Sequence, residues 1–365
     1  MILKSKYAFL AGLMGSAIAV AAQSPMSASA PPPPVPPMAK AAAAPMATPA
    51  PDMQAVLTAQ AALGGKPIET LTPAEARLQP SPADGVVQVL RAKGMPTTPD
   101  GAVTTTDRVY GRDPMQKARV YKPAAGGSNL PVIVYYHGGG WVIADLATYD
   151  ATPRLLAQQL NAVVVSVEYR HAPEAKFPAQ HEDAAAAYRW TLANAKAWGG
   201  DPTRVALAGE SAGGNLAVAT AIFARDHAMA MPRHILAVYP IANSSMTLPS
   251  RSENAMAKPL NTPMLSWFGY YYAKAKSDQQ DPRINLVNAN LRGLPPTTIV
   301  NAQIDPLRSD GETLATAMRI AGVAVEQRTF AGTTHEFFGM GKVVAGAKEA
   351  EGYAVERLRP ALAIR

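Results

Sequence analysis

The residue with the clearest chemical promise is a serine framed by glycines. Gly209-Glu210-Ser211-Ala212-Gly213-Gly214 follows an apolar run, Val205 to Ala208, and precedes a small-residue helical run, Asn215 to Ala224. Strand, Gly-x-Ser-x-Gly, helix is the context of a nucleophile elbow, where the serine occupies a strained turn. Glycines at 209 and 213 remove Cβ atoms that would collide inside so tight a bend. A chance match is the alternative, so the rest of the chain must supply a base, an acid and a place for negative charge.

An alkyl hydroxyl is a poor nucleophile at neutral pH, and Ser211 needs a base to take its proton. The histidines are His137, His171, His181, His227, His234 and His335. With an elbow serine on a parallel sheet, the chain order is serine, acid, histidine. His137, His171 and His181 come too early, His227 ends the helix after the elbow, and His234 opens a strand at the wrong edge. His335, in the loop Gly332-Thr333-Thr334-His335-Glu336-Phe337, is the base by elimination. Its imidazolium needs a carboxylate on the other ring nitrogen. Asp305 leaves a strand between Ser211 and His335. Asp310 more naturally caps or supports the next helix, and Glu336 adjoins the base. Tyr136-His137-Gly138-Gly139-Gly140-Trp141 offers backbone amides to a developing oxyanion, with the Ala212 amide as a further donor. Ser211, Asp305 and His335 are therefore the candidate catalytic residues, and Gly138, Gly139, Gly140 and Ala212 the candidate oxyanion donors.

These groups require a frame. Strand-like runs fall at about 107–112, 117–122, 132–136, 162–168, 204–209, 235–240, 297–303 and 324–330, the first two as a hairpin. Helical patterns separate the later ones, at about 148–160, 182–197, 212–226, 309–320 and 345–357. Continuous apolar strands alternating with helices predict an α/β fold, an eight-stranded, mostly parallel sheet covered on both faces. Upstream, Asp52 is expected to cap a short helix, and Thr72-Pro73-Ala74-Glu75 reads as a capping box with proline at the first helical position. More than fifty residues separate the strand near Pro240 from the one at Thr297. They carry Trp267, Phe268, Tyr270, Tyr271 and Tyr272. An insertion at the carboxyl edge of a parallel sheet overlies the ligand position, so with the N-terminal helices it is expected to form a helical cap. Trp141, Trp267, Phe268, Tyr271 and Phe337 are the candidate substrate-pocket residues. An ordinary packed helix is the alternative for the aromatic cluster.

At 365 residues, 48% hydrophobic and 17% charged, the chain can bury a large core. Its formal charge of +7 is spread without a Lys/Arg block or an aromatic-basic stripe, which gives nucleic-acid binding no support. Residues 1–22, with Lys4 and Lys6 ahead of an apolar run ending in Ala19-Val20-Ala21-Ala22, read as a signal peptide. Residues 23–51, with Pro31-Pro32-Pro33-Pro34, read as an extended Pro/Ala-rich linker, and residues 52–365 as the folded domain. The expected location is periplasmic or secreted, with no stable membrane association once the signal is cleaved. An uncleaved anchor is the alternative. The chain has no cysteine, hence no disulfide and no cysteine metal site. No metal site or cofactor is expected, and a homodimer is left open.

Taken together, His137-Gly138-Gly139-Gly140-Trp141, Tyr169-Arg170-His171-Ala172-Pro173-Glu174 with Phe177-Pro178-Ala179, the Ser211 elbow, Asp305-Pro306-Leu307 and His335 resemble the bacterial hormone-sensitive-lipase-like (family IV) esterases of the α/β-hydrolase superfamily. The resemblance spans roughly residues 53–358. It implies an α/β-hydrolase fold and a serine carboxylesterase that cleaves short- to medium-chain esters without cofactor. It implies Ser211 as nucleophile completed by Asp305 and His335, with Gly139, Gly140 and Ala212 donating to the oxyanion. His137 would shape the glycine loop, buried Arg170 and Glu174 would hold the loops, and the cap would comprise about 52–95 and 243–285. Three features depart from the pattern: Glu210 where Asp is commonest, a serine inserted between Asp305 and Asp310, and the exported N-terminus. A receptor on the same scaffold and an amide or acyl-peptide hydrolase are the competing readings.

Overall fold

The computed structural model describes residues 46–364. The expected signal peptide and most of the 23–51 linker lie outside those residues. From residue 46 the chain is irregular until Ala50, whose amide donates to Gly332 O at 2.9 Å. Helices α1 (Pro51–Ala61), α2 (Pro73–Ala76) and α3 (Pro82–Ala92) follow. Asp52 does not cap α1, contrary to the sequence reading. It lies inside the first turn, after Pro51, and its second carboxylate oxygen accepts from the Ala345 amide at 2.7 Å. Thr72 and Glu75 do form the reciprocal capping box at the head of α2.

The body alternates strand and helix: β1 (Val103–Val109), β2 (Lys117–Pro123), β3 (Leu130–Tyr136), α4 (Ala151–Leu160), β4 (Val163–Val167), α5 (Ala179–Asn194), β5 (Gly200–Glu210), α6 (Ala212–Asp226) and β6 (His234–Val238). Then come α7 (Pro249–Glu253), α8 (Thr262–Tyr272), β7 (Thr297–Ile304), α9 (Arg308–Ile320), β8 (Val325–Thr334) and α10 (Ala345–Leu362). One eight-stranded sheet runs β1-β2-β4-β3-β5-β6-β7-β8. β2 is antiparallel to both neighbours and all later pairings are parallel. The first strand begins four residues before its expected start. Thr104 to Val109 are exposed on this edge strand, so no apolar alternation marks where it begins.

Side-chain alternation along β3 divides the interior. Val132, Val134 and Tyr136 enter a cluster with Tyr188, Leu216 and Leu314 from α5, α6 and α9. Ile133 and Tyr135 enter the opposite cluster with Leu156 and Leu358 from α4 and α10. Each such buried aliphatic contributes about 1.5–3 kcal/mol, which fixes the strand ends carrying the chemistry.

The N-terminal helical segment and the insertion after β6 meet near the carboxyl ends of the strands. Trp267 Nε1 donates to Leu71 O at 2.9 Å, and Asn261 Nδ2 donates to Glu69 Oε1 at 2.8 Å. Arg77, just past α2, donates to Val142 O and Ala172 O and forks onto Glu174 at 2.7 and 2.8 Å. Glu174 is therefore an exposed partner of the cap, not a buried brace. Arg170 is half-buried, clamped by the buried Asp183 at 2.7 Å.

Candidate active site

β5 turns into α6 through a single residue, Ser211, at φ 57° and ψ −117°. A non-glycine residue tolerates such angles only where its surroundings over-determine them. A Cβ at Gly209 would lie 2.2 Å from Gly213 O, and one at Gly213 would lie 2.0 Å from Tyr136 O. The elbow can therefore pass between its neighbours only with glycine at both places. The Ser211 amide is tied to Val238 O at 2.9 Å.

His335, one residue past β8, reaches the serine from the far side of the sheet edge. Its Nε2 is 3.0 Å from Ser211 Oγ, and its Nδ1 is 2.7 Å from Asp305 Oδ2. The carboxylate at Nδ1 fixes the tautomer. Nδ1 carries the hydrogen, and the Nε2 lone pair faces the hydroxyl. Asp305 Oδ1 accepts from the Leu307 amide at 2.7 Å, and Asn254 holds the Asp305 carbonyl at 3.1 Å. Burial alone would push the His335 pKa down. The negative charge of Asp305 and the hydrogen bond to it outweigh that and hold it above the ordinary imidazole value.

The carboxylate on His335 is Asp305, and Asp310 lies in the first turn of α9. It is fully buried, paired with Arg251 at 2.7 Å, and accepts from the Ala242 and Asn243 amides. It fixes the start of the insertion rather than capping α9, whose N-cap is Leu307. Burial pushes its carboxyl up to about 6. Glu210 points beneath the elbow, where it accepts from Tyr135 at 2.6 Å and from Tyr239, and burial raises it to about 7.

The glycine loop after β3 faces the serine. Gly139 and Gly140 have φ of 93° and 59° and line the same cavity as Ser211 and His335. Their amides donate to no acceptor among the described residues, whereas Gly139 O accepts from the amides of Val142 and Ile143. The Ala212 amide opens α6 and is one of the unpaired donors of a helix N-terminus. Gly138 lies behind the cavity, where a Cβ would lie 2.2 Å from the Tyr149 hydroxyl. His137 Nδ1 is 2.8 Å from Gly138 O, and its Nε2 is 3.1 Å from Glu168 Oε1. Both ring nitrogens thus face acceptors, which favours the cation. Burial opposes that charge, but Glu168 holds the His137 pKa above its usual value. Glu168 itself stays well below the carboxylate range despite its burial. With His171 these residues form a compact group of metal-ligand types, atoms within 4.8 Å of one another. The hydrogen bonds just described account for His137 and Glu168 as a brace behind the glycine loop.

The cavity over Ser211 has a volume of about 160 Å3. Its walls come from both cap segments and the glycine loop, including Ile68, Ile143, Ile241, Leu260, Met264 and Phe268. Of the five expected pocket aromatics, Phe268 alone lines it. Trp141 is stacked on Tyr272 at 4.2 Å, Trp267 and Tyr271 pack edge-to-face in the cap interior, and Phe337 lies against Tyr239 and Phe330. For the two on α8 the reason is helical phase. Residues 267 and 271 share one side of α8, while 264 and 268 share another. A larger hollow of about 510 Å3 adjoins the first and shares Gln60, Ile68 and Met264 with it. No motif in the sequence points to the aliphatic walls or to Tyr149, and Glu336 stands out there only as the neighbour of His335.

Residues 133–339 match the family model described as alpha/beta hydrolase fold. The chain is 40% identical over 289 residues to carboxylesterase NlhH of Mycobacterium tuberculosis, covering 77% of this chain and 91% of the relative. It is 34% identical to an ethyl acetate hydrolase of Pseudomonas putida, over 66% of this chain and 77% of that protein. Among solved structures, an esterase of Pyrobaculum calidifontis superimposes with a TM-score of 0.75 at 33% identity, covering 86% of this chain and 99% of that one. A thermostable esterase from Pseudomonas putida does so at 0.77 and 30% identity, over 87% and 99%.

Proposed function

The chain belongs to the alpha/beta hydrolase family, among its hormone-sensitive-lipase-like carboxylesterases, and from that premise we propose that it cleaves short- to medium-chain esters through an acyl-enzyme on Ser211. The observation that carries this reading is the chain of contacts Asp305–His335–Ser211, at 2.7 and 3.0 Å, beside two glycine amides that donate to no acceptor among the described residues. His335 Nε2 takes the Ser211 proton as Oγ bonds to the ester carbonyl carbon. The carbonyl oxygen becomes an oxyanion that the amides of Gly139, Gly140 and Ala212 meet, and Asp305 stabilises the imidazolium. Collapse breaks the bond to the alkoxy group, which leaves with the proton from His335. Water then repeats the sequence on the acyl-enzyme.

An apolar hollow of about 160 Å3 favours a small acyl group, and the adjoining larger hollow gives room for the other side of the ester. A series of p-nitrophenyl esters of rising acyl length, with Ser211→Ala as control, tests the reading. Activity should peak at short to medium chains and vanish in the control. Full activity in Ser211→Ala would end it. Export belongs to the same proposal and is checked by fractionation and the mass of the mature chain.

A further inference from the structure

The cavity wall carries a carboxylate, Glu336, that the acyl-enzyme scheme above does not use. Glu336 follows His335 directly and has φ 68°, a left-handed angle uncommon for a residue with a side chain. That backbone turn brings its side chain to the cavity wall beside Ser211 and His335. Glu336 Oε1 lies 3.8 Å from His335 Nε2, the nitrogen that faces the serine rather than the one held by Asp305. Both Glu336 oxygens accept from one hydroxyl, Tyr149 Oη, at 2.6 and 2.7 Å. One shared proton leaves most of the carboxylate's acceptor capacity unfilled.

We propose that Glu336 positions the water that hydrolyses the acyl-enzyme. This rests on the serine-esterase reading above. Once Ser211 Oγ is acylated it no longer donates to His335, and Nε2 is free to accept from water. A water roughly 2.8 Å from each partner bridges two atoms 3.8 Å apart. One of its hydrogens faces Nε2 and the other faces Glu336 Oε1. The oxygen lone pair is then directed at the acyl carbonyl carbon. Water oxygen bonds to that carbon as its first proton passes to Nε2. The tetrahedral intermediate then collapses, the bond to Ser211 Oγ breaks, and Oγ recovers the proton from Nε2. Glu336 ends with no net proton; it only orients.

Water and methanol separate this role from a structural one. Methanol has a single O–H, which His335 takes, so its attack does not draw on Glu336. In Glu336→Gln the amide oxygen satisfies Tyr149 and the NH2 group faces the water, and in Glu336→Ala both contacts are gone. The measurement is p-nitrophenyl acetate turnover in aqueous methanol, reading the p-nitrophenol burst, the steady-state rate, and the ratio of methyl acetate to acetic acid. In both variants the ratio should rise roughly tenfold or more, with steady-state hydrolysis slowed by a similar factor and the burst far less affected. The ratio is internal to each sample and does not depend on how much protein is folded. An unchanged ratio in both variants, or a burst slowed as much as turnover, overturns the proposal while leaving the serine-esterase reading intact. A wild type whose Ser211 is not labelled by a p-nitrophenyl phosphonate overturns that reading, and this one with it.

Discussion

The floor and the roof of the cavity are built by different physics. The floor consists of strand ends and turns whose backbone leaves no freedom. Ser211 sits at a positive φ, and the neighbouring glycines have backbone atoms where a Cβ would go. Its polar groups are chained, from the Leu307 amide through Asp305 and His335 to Ser211. The roof consists of apolar side chains from two segments far apart in sequence, joined by a few polar links such as Trp267 to Leu71 and Asn261 to Glu69. The floor is specified atom by atom, and the roof by volume. On the proposed function, reaction type therefore belongs to the first and substrate size to the second.

Substitutions in the floor should abolish turnover while leaving the roof's preferences undefined. His335→Ala is the largest case. Loss of the proposed base should lower kcat by at least about 10^4-fold, with melting temperature nearly unchanged, and activity within tenfold of wild type would break the comparison. Gly139→Ala comes next. The added Cβ would lie 2.1 Å from Ile143 O at a backbone φ of 93°, so the loop must shift. Displacing one oxyanion donor typically costs about 10^2- to 10^3-fold in rate. The loss should appear in kcat more than in KM, since the donor acts on charge formed during attack.

A smaller effect comes from pH. As the proposed base, His335 acts only in its neutral form, and the charge of Asp305 outweighs burial to hold its pKa above the ordinary value. As pH falls through that raised value the imidazole protonates and activity is lost. The acid limb of kcat/KM in the free enzyme should therefore lie above about 6.5. A limb below 6 would mean that the Asp305 contact does not govern the base.

The floor was readable in the sequence for a physical reason. An elbow needs glycines at fixed offsets, a glycine loop must follow an early strand, and chain order left a single histidine. The brace behind the loop, by contrast, joins His137 to Glu168, and Tyr149 meets Glu336 from 187 residues away. No local pattern encodes such meetings, because they depend on which strand ends become neighbours. The capping box at Thr72 and Glu75 was legible since it closes within three residues. The start of β1 was not, because an exposed edge strand imposes no burial pattern. In the roof, composition announced an aromatic helix but not its rotation, and the rotation decides which rings meet the substrate.

That rotation gives the finest test, on two adjacent residues of α8. Phe268 lines the cavity and closes against Gly140, where a Cβ would lie 2.2 Å from its ring. Trp267 faces the cap interior and donates to Leu71 O. Phe268→Leu should enlarge the acyl site and move the preferred chain length upward, since each methylene fitted into an apolar pocket changes kcat/KM by roughly tenfold or more. Trp267→Phe removes one buried hydrogen bond and should cost about 1–3 kcal/mol of stability through the unpaired carbonyl. Its chain-length profile should match wild type, because its ring never meets the acyl group. If Trp267→Phe reshapes the profile while Phe268→Leu leaves it alone, α8 presents its other side to the substrate, and the assignment of roof residues fails without touching the floor.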